Sequence, residues 1–409
     1  MNDYACSYFK TAHYDYSMYH SIMIALVLSI LFMPSIGLAD TVRDKFDIKG
    51  FTKVVDGKYI ISLPAGLYQI SETIVLPSNT IFEGTGPSTI LKVASPFFGQ
   101  RFITNSNERD GCENITLRSF KMVFDLPILT GNLPGIMRFE NVRNLQLNNI
   151  TMILDTKYYG IDLSANIQSA IIENNIIENW GQGGTIMVRN RHRQTNKESN
   201  NIIIRNNTLL SAYDEPLAVF GWMGSVRNIT LEGNNVKGEG ASFGITAFAI
   251  DTLGHTGKLS DVVISKNIIT GGKHGAIGIK GGATNISVSE NKIHHAAGDG
   301  IFIHTGGNGL PRVSDVLVID NEISDTGRHG ILATGSEIRI EKNKISNTNA
   351  SGVYMHGTVT VMDNQVKDAK PGILADGDQM KLIKRNRFRN APIRILNKKG
   401  TEIKGNITE

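Results

Sequence analysis

Residues 316–377 read VLVIDNEISDTGRHGILATGSEIRIEKNKISNTNASGVYMHGTVTVMDNQVKDAKPGILADG. One phrase occurs there three times. It consists of aliphatic residues at alternate positions, an Asn, a second apolar position, a polar turn, then Gly and two more alternating apolar residues. The Asn recurs at Asn321, Asn343 and Asn364, at intervals of 22 and 21 residues. Outward from this stretch the phrase continues as IIENNII (171–177), IIIRNNTLL (202–210), ITLEGNNV (229–236), VVISKNII (262–269), ISVSENKI (286–293) and KLIKRNRF (381–388). A second strand follows in PLAVFG (216–221), GITAFA (244–249), GILATG (330–335), GVYMHG (352–357) and GILADG (372–377).

Each strand is too short to bury its apolar face alone, so neighbouring repeats must cover it. Helical periodicity is absent from residue 50 onward. The prediction is an all-β, single-stranded, right-handed parallel β-helix of about a dozen rungs. The repeated Asn, at 174, 206, 234, 267, 291, 321, 343, 364 and 386, suits a corner, because Asn tolerates left-handed backbone. Stacked Asn side chains also bond to one another along such a coil.

Composition supports a folded chain. Apolar residues make up 41% and charged residues 20% of 409, which excludes global disorder. The 42 glycines follow no three-residue period, which excludes collagen. A formal net charge of +4 is too small to mark a nucleic-acid binder. Residues 22–32 form a short apolar run followed by small residues ending at Ala39. This pattern predicts a cleaved signal peptide over 1–39, hence a secreted or periplasmic protein with no membrane segment after cleavage. The expected division continues with an N-terminal cap and first rungs over 40–93 and the β-helix over 94–409. Mature protein would keep one cysteine, Cys112, so no internal disulfide is expected.

On these repeats the chain resembles the pectin-lyase-like superfamily of right-handed parallel β-helices, over residues 46–405. YIISLPAGLYQISETIVLPSNTIFEGTGPSTILKV (59–93) looks like the opening rungs of secreted pectinases and phage tailspikes. The resemblance implies a carbohydrate-related role, because this fold carries lyases, hydrolases, epimerases and adhesins. Tyr213-Asp214-Glu215-Pro216-Leu217-Ala218-Val219 also resembles the polygalacturonase motif Gly-Asp-Asp-x-Ile-Ala-Ile. That likeness implies Asp214 and Glu215 as an acid/base pair for hydrolysis. The family's Gly-His-Gly stands here as Lys-His-Gly (273–275) and Arg-His-Gly (328–330), and its Arg-x-Lys motif is missing.

Period-two alternation turns Leu217, Val219, Ile245, Ala247, Ile331 and Ala333 inward. The same rule faces Asp162, Ser164, Ala218, Phe220, Thr246, Phe248, Leu332, Thr334, Tyr354 and His356 outward. Insertions at about 189–200, 251–260 and 305–314 follow this strand and wall one edge of a trough suited to a linear polymer. The residue before each Gly-Ile strand forms a column of Tyr159, Glu215, Phe243, His274, Asp299, His329 and Ser351. With rungs about 4.8 Å apart, Asp299 is expected between two imidazoles, whose pKa its charge would raise.

Two catalytic readings follow for an anionic polysaccharide. Hydrolysis rests on Asp214 and Glu215. β-Elimination rests on His274, Asp299 and His329 as proton-transfer groups, with Lys280, His304 and Arg328 neutralising the uronate. Arg189, Arg191 and Arg193 would add a positive field, and Trp222 a stacking face for sugar. A non-catalytic glycan binder and a polysaccharide epimerase are the alternative classes. Metal-ligand spacing, a P-loop and a nucleotide fingerprint are all missing from the sequence, so no cofactor is expected. Calcium between acids of neighbouring rungs, as in pectate lyases, has no acidic cluster to mark it.

Overall fold

The computed structural model describes residues 47–125, 135–190, 198–249, 257–305, 311–377, 379–396 and 400–409. The expected signal peptide lies outside them. A 3-10 turn, Ile48–Phe51, begins the described chain, with the Asp47 carboxylate accepting from the Lys49 N–H. Phe51 packs edge-on against Tyr68 at 5.6 Å. A short antiparallel pair, Thr52–Val55 with Lys58–Ser62, follows.

From there the chain winds as a right-handed parallel β-helix. One rung shows the plan. Thr284–Ser289 lies in a first sheet, Lys292–His294 in a second and Asp299–His304 in a third. Each pairs in parallel with the next rung: Ile286 with Val316, Ile293 with Ile323, and Ile301 with Ile331. The inward residues of all three sheets form one continuous core. Leu217, Val219, Ile245, Ala247, Ile331 and Ala333 are fully buried there, as the alternation predicted.

The stacked asparagines are Asn175, Asn207, Asn234, Asn267, Asn291, Asn321, Asn343, Asn364, Asn386 and Asn406. Each of the first nine donates from Nδ2 to the Oδ1 of the next at 2.9–3.0 Å. That same Oδ1 also accepts the lower residue's backbone N–H at 2.8–3.0 Å. The other Nδ2 hydrogen reaches a main-chain carbonyl of the rung below, as from Asn321 to Val288.

Two sequence expectations are corrected here. In the first two rungs the ladder residue is the second Asn of each pair, Asn175 and Asn207, and not Asn174 or Asn206. The left-handed corner is also not the ladder position. It is the residue before it, with positive φ at Asn174, Asn206, Gly233, Lys266, Glu290, Asp320, Lys342, Asp363, Arg385 and Gly405. A non-glycine residue pays about 1–2 kcal/mol for that backbone. Lys266, Glu290 and Lys342 accept it because the turn aims the next amide into the ladder.

Glycine at the start of the third-sheet strands has a packing reason. A Cβ at Gly300 would lie 2.5 Å from Ile323 Cγ2, and one at Gly330 2.4 Å from Ile345 Cγ2. Gly300 and Ile301 therefore both face inward. This breaks the alternation and sends the preceding residue, Asp299, to the outer side.

Asn321→Ala removes the shared acceptor of two buried donors of Asn291, while Asn343 Oδ1 keeps the Asn321 backbone N–H. At about 1–3 kcal/mol per unsatisfied group, a loss of about 3–5 kcal/mol is expected in chemical denaturation. Asp320→Gly keeps the left-handed corner and is expected to stay within about 0.5 kcal/mol of wild type or above it.

Candidate functional site

The outer face of the third sheet is a wall of register-aligned columns. Phe248, Lys280 and His304 form one, and Ala218, Thr246, Gly278, Phe302, Leu332 and Tyr354 another. Its lower part is not the open surface that alternation predicted. Asp162, Ser164, Ala218 and Thr246 are buried although they point away from the core. Tyr159, Met187 and Ala218 form a second small apolar cluster there, with Phe220 packed against it.

Asp214 and Glu215 precede the strand Leu217–Gly221. Asp214 Oδ1 accepts the Glu215 N–H at 2.8 Å, and the two side chains hydrogen-bond. Burial pushes the Glu215 carboxyl up to about 8, reinforced by the hydrogen bond and charge of Asp214 and opposed by Lys280. The buried Tyr159 phenol is held well above its usual value, first by burial, then by the charges of Asp214 and Glu215. Lys280 stands two rungs farther along, yet its long side chain lies back over the wall. Its Nζ is 4.1 Å from the Phe243 ring centroid and 5.3 Å from that of Phe248. Burial lowers the Lys280 pKa, and the Glu215 carboxylate opposes this. The sequence had set Glu215 and Lys280 in competing mechanisms; the structure puts them on one wall, within reach of each other's charge.

Phe243 is the floor of that wall. Gly275 and Gly278 leave room for its ring, since a Cβ at Gly278 would lie 2.7 Å from it. The ring sits 5.6 Å from Phe302, which in turn stacks on His304 at 5.3 Å. The sequence reading did not single out Phe302. Its outward position in Asp299–His304, in the column of Thr246 and Leu332, was the available signal.

The expected His274–Asp299–His329 column does not form. Gly275, not His274, pairs with Asp299, and Ala276 takes the inward place that Gly300 holds one rung later. His274 is exposed beside Phe243. Its pKa is lowered by burial, then by the charges of Lys280, Arg328 and Lys273. Asp299 is completely buried, so it does not meet a ligand directly. Its Oδ1 accepts the His329 backbone N–H at 3.0 Å, while Oδ2 lies 3.7 Å from Arg328 Nη1. Oδ2 has no hydrogen bond among the described residues, and burial pushes Asp299 up to about 6.

His329 also departs from expectation. Its ring contacts Ser351 rather than the Asp299 carboxylate, with Nδ1 2.6 Å from Ser351 Oγ and accepting the Ser351 N–H at 3.2 Å. That acceptor role assigns the ring proton to Nε2. Burial, then the charge of Arg328, lowers its pKa to about 4 rather than raising it. The ring stacks on Tyr354 at 5.3 Å. His304 is likewise lowered by burial and then by Lys280.

Arg189 is not a free cation on a loop. Its Nε and Nη2 bind Asp162 Oδ1 and Oδ2 at 3.0 and 2.7 Å, with both side chains buried. Arg191 and Arg193 lie outside the described residues, as do most residues of the three expected insertions. Trp222 follows Gly221 at the far end of the strand from Glu215. Seven residues of extended chain separate them by about 20 Å, so Trp222 is not beside the acid pair. Among the described residues, no group of three or more His, Cys, Asp or Glu side chains is placed to hold a metal. No helix among them is long and apolar enough to cross a membrane.

The chain belongs to the family described as right handed beta helix region, whose model matches residues 134–314 and 310–388. Over 127 residues it is 29% identical to the preneck appendage protein of Bacillus phage PZA and 28% identical to that of Bacillus phage phi29. The match covers 29% of this chain but only 15% of either phage protein. Among solved structures it resembles the N-terminal fragment of phage phi29 gene product 12, with a TM-score of 0.58 and 16% identity, over 95% of this chain and 73% of that one. It also resembles the A-module of mannuronan C-5 epimerase AlgE4 from Azotobacter vinelandii, with a TM-score of 0.54 and 14% identity, over 91% and 95% of the two chains. A third is the periplasmic alginate epimerase AlgG, with a TM-score of 0.53 and 14% identity, over 88% and 80%. Likeness at these identities is one of fold.

Glu215 holds its proton to about pH 8 in the folded protein, against an ordinary value of 4.5. Between those values the unfolded chain releases the proton and the folded chain does not. Folding stability is therefore fully present below pH 4.5 and falls as pH rises toward 8. Glu215→Gln is expected to raise Tm relative to wild type at pH 8 and to leave it nearly unchanged at pH 4.5. Thermal melts across that range check this; parallel curves would contradict it.

Proposed function

We propose that this protein is a secreted or periplasmic enzyme that cleaves a uronate-containing polysaccharide by β-elimination, along the outer wall of the third sheet. One observation carries the reading. Burial and Asp214 push the Glu215 carboxyl up to about 8 on the same wall that carries the partly desolvated Lys280 amine, whose Nζ lies over the Phe243 ring. Proton abstraction beside a carboxylate needs such a base and such an acid.

In its unprotonated form, the form that burial favours, Lys280 Nζ takes the C5 proton of a bound uronate. The C5–H electron pair forms the C4–C5 double bond and the C4–O4 bond breaks. Glu215 gives its proton to the departing O4. The ammonium and carboxylate left behind return to the starting state by proton exchange with solvent. Arg328, Lys273 and His274 surround the wall with donors for the uronate carboxylates. Phe302, half-buried on the wall, offers a flat apolar face to a sugar ring, and the buried Phe243 supports it from below.

Hydrolysis fits less well. Its two carboxyl groups stand about 5–9.5 Å apart across the scissile bond, whereas Asp214 and Glu215 bond to each other. The next carboxyl group of that column, Asp299, is three rungs away, about 14 Å, and buried. A glycan-binding wall without chemistry is the second reading, favoured by the sequence match to phage appendage proteins. Epimerisation shares the first proton transfer but leaves C4–O4 intact.

Uronate polymers incubated with the protein are expected to gain the ultraviolet absorbance of a C4–C5 double bond, with matching new reducing ends. Glu215→Gln and Lys280→Met should each lower kcat at least about a hundredfold. Reducing ends without absorbance would overturn elimination in favour of hydrolysis. Binding with neither product would overturn catalytic cleavage.

A further inference from the structure

A second concave surface lies on another sheet. Near the bottom of the coil the outer face of the first sheet holds a groove of about 430 Å³, lined among others by Asn79, Asn114, Asn144, Gln146, Ile81 and Ile171. Its concavity has a backbone cause. Asn79, Asn114, Asn144 and Ser169 all have positive φ, at 58°, 56°, 59° and 63°, so every rung there bends at the same place.

The amides are organised. Asn144 Nδ2 donates to Asn114 Oδ1 at 2.9 Å, and Asn114 Nδ2 to Asn79 Oδ1 at 2.8 Å. Each such bond uses one N–H and one lone pair of groups that own more. Asn114 and Asn144 are exposed. The remaining donors and acceptors thus form a rigid row at the rung spacing of about 4.8 Å. Beside that row the register sets Ile81, Thr116, Gln146 and Ile171 in one column, with an aliphatic face at each end.

Charge is cancelled on both flanks. Arg118 binds Glu83 through Nε and Nη2 at 2.9 and 2.6 Å. Arg143 is paired with Glu113. Lys58 is the only charged residue in the lining. A surface with evenly spaced amides, aliphatic ends and paired flanking charges favours an uncharged, hydroxyl-rich, extended ligand over an anion. We propose that this groove binds a neutral glycan segment running along the coil axis, separately from the reactive wall of the third sheet.

Titration calorimetry with cellohexaose, maltohexaose and mannohexaose tests the proposal on the full chain. At least one is expected to bind wild type and Glu215→Gln alike. The Asn114→Gly/Asn144→Gly variant removes two amides while glycine keeps the left-handed backbone. It should bind about tenfold more weakly, the loss of one or two hydrogen bonds, and Gln146→Ala several-fold more weakly. Circular dichroism melts establish that both variants fold. No binding by wild type, or equal binding by the groove variants, overturns the proposal. Loss of binding in Glu215→Gln also overturns it, by placing the ligand on the third sheet. The elimination assay is independent, so either reading can fail alone.

Discussion

The side-chain amide bond from one Asn to the Asn above it sets everything else in this fold. A parallel strand pair fixes direction but leaves register free to slip by two residues without exposing its apolar face. The ladder removes that freedom. Each Oδ1 receives both an amide and a backbone N–H from the rung below, for example from Asn291 into Asn321, so a slipped rung would bury unsatisfied donors. Between Asn175 and Asn406, rungs separated by as few as 20 or as many as 33 residues meet at the same point. Length differences are absorbed elsewhere on the circumference.

Chemistry on the third sheet inherits this register. Glu215 and Lys280 lie two rungs apart, and neither has an unusual pKa because of its own sequence neighbours alone. Burial on a wall already carrying Tyr159, Met187 and Phe243 shifts both toward neutral forms. The Asp162–Arg189 pair, buried on the same wall, is held by two charge-assisted hydrogen bonds. Asp299 Oδ2 accepts no hydrogen bond among the described residues, and burial pushes its carboxyl toward the protonated form.

Much of the fold was legible in the repeated phrase, because inward aliphatics, ladder Asn and strand-opening Gly each report a separate packing constraint. Errors came where two residues compete for one role. Asn174-Asn175 and Asn206-Asn207 each offer a corner and a ladder residue of the same type, and only the burial of the second separates them. His274-Gly275-Ala276 looks like the usual residue-Gly-aliphatic opening, but Ala276 occupies the inward place and displaces the histidine. The site was less legible. Lys280 and Glu215 feel each other's charge across two rungs because of the length and direction of the lysine side chain, which strand periodicity does not encode. The inverted His329 shift arises from desolvation and from Arg328, its neighbour in sequence, outweighing a carboxylate that spends its hydrogen bond on the backbone.

Carboxyl-carbon NMR titration of Glu215, assigned with Glu215→Gln, measures directly whether the stacked rungs create a protonated acid beside Lys280. A midpoint near pH 8 is expected, moving higher in Lys280→Met because the ammonium favours the carboxylate. A midpoint in the ordinary carboxylate range, indifferent to the lysine, would contradict both the register of this wall and the acid role assigned to it.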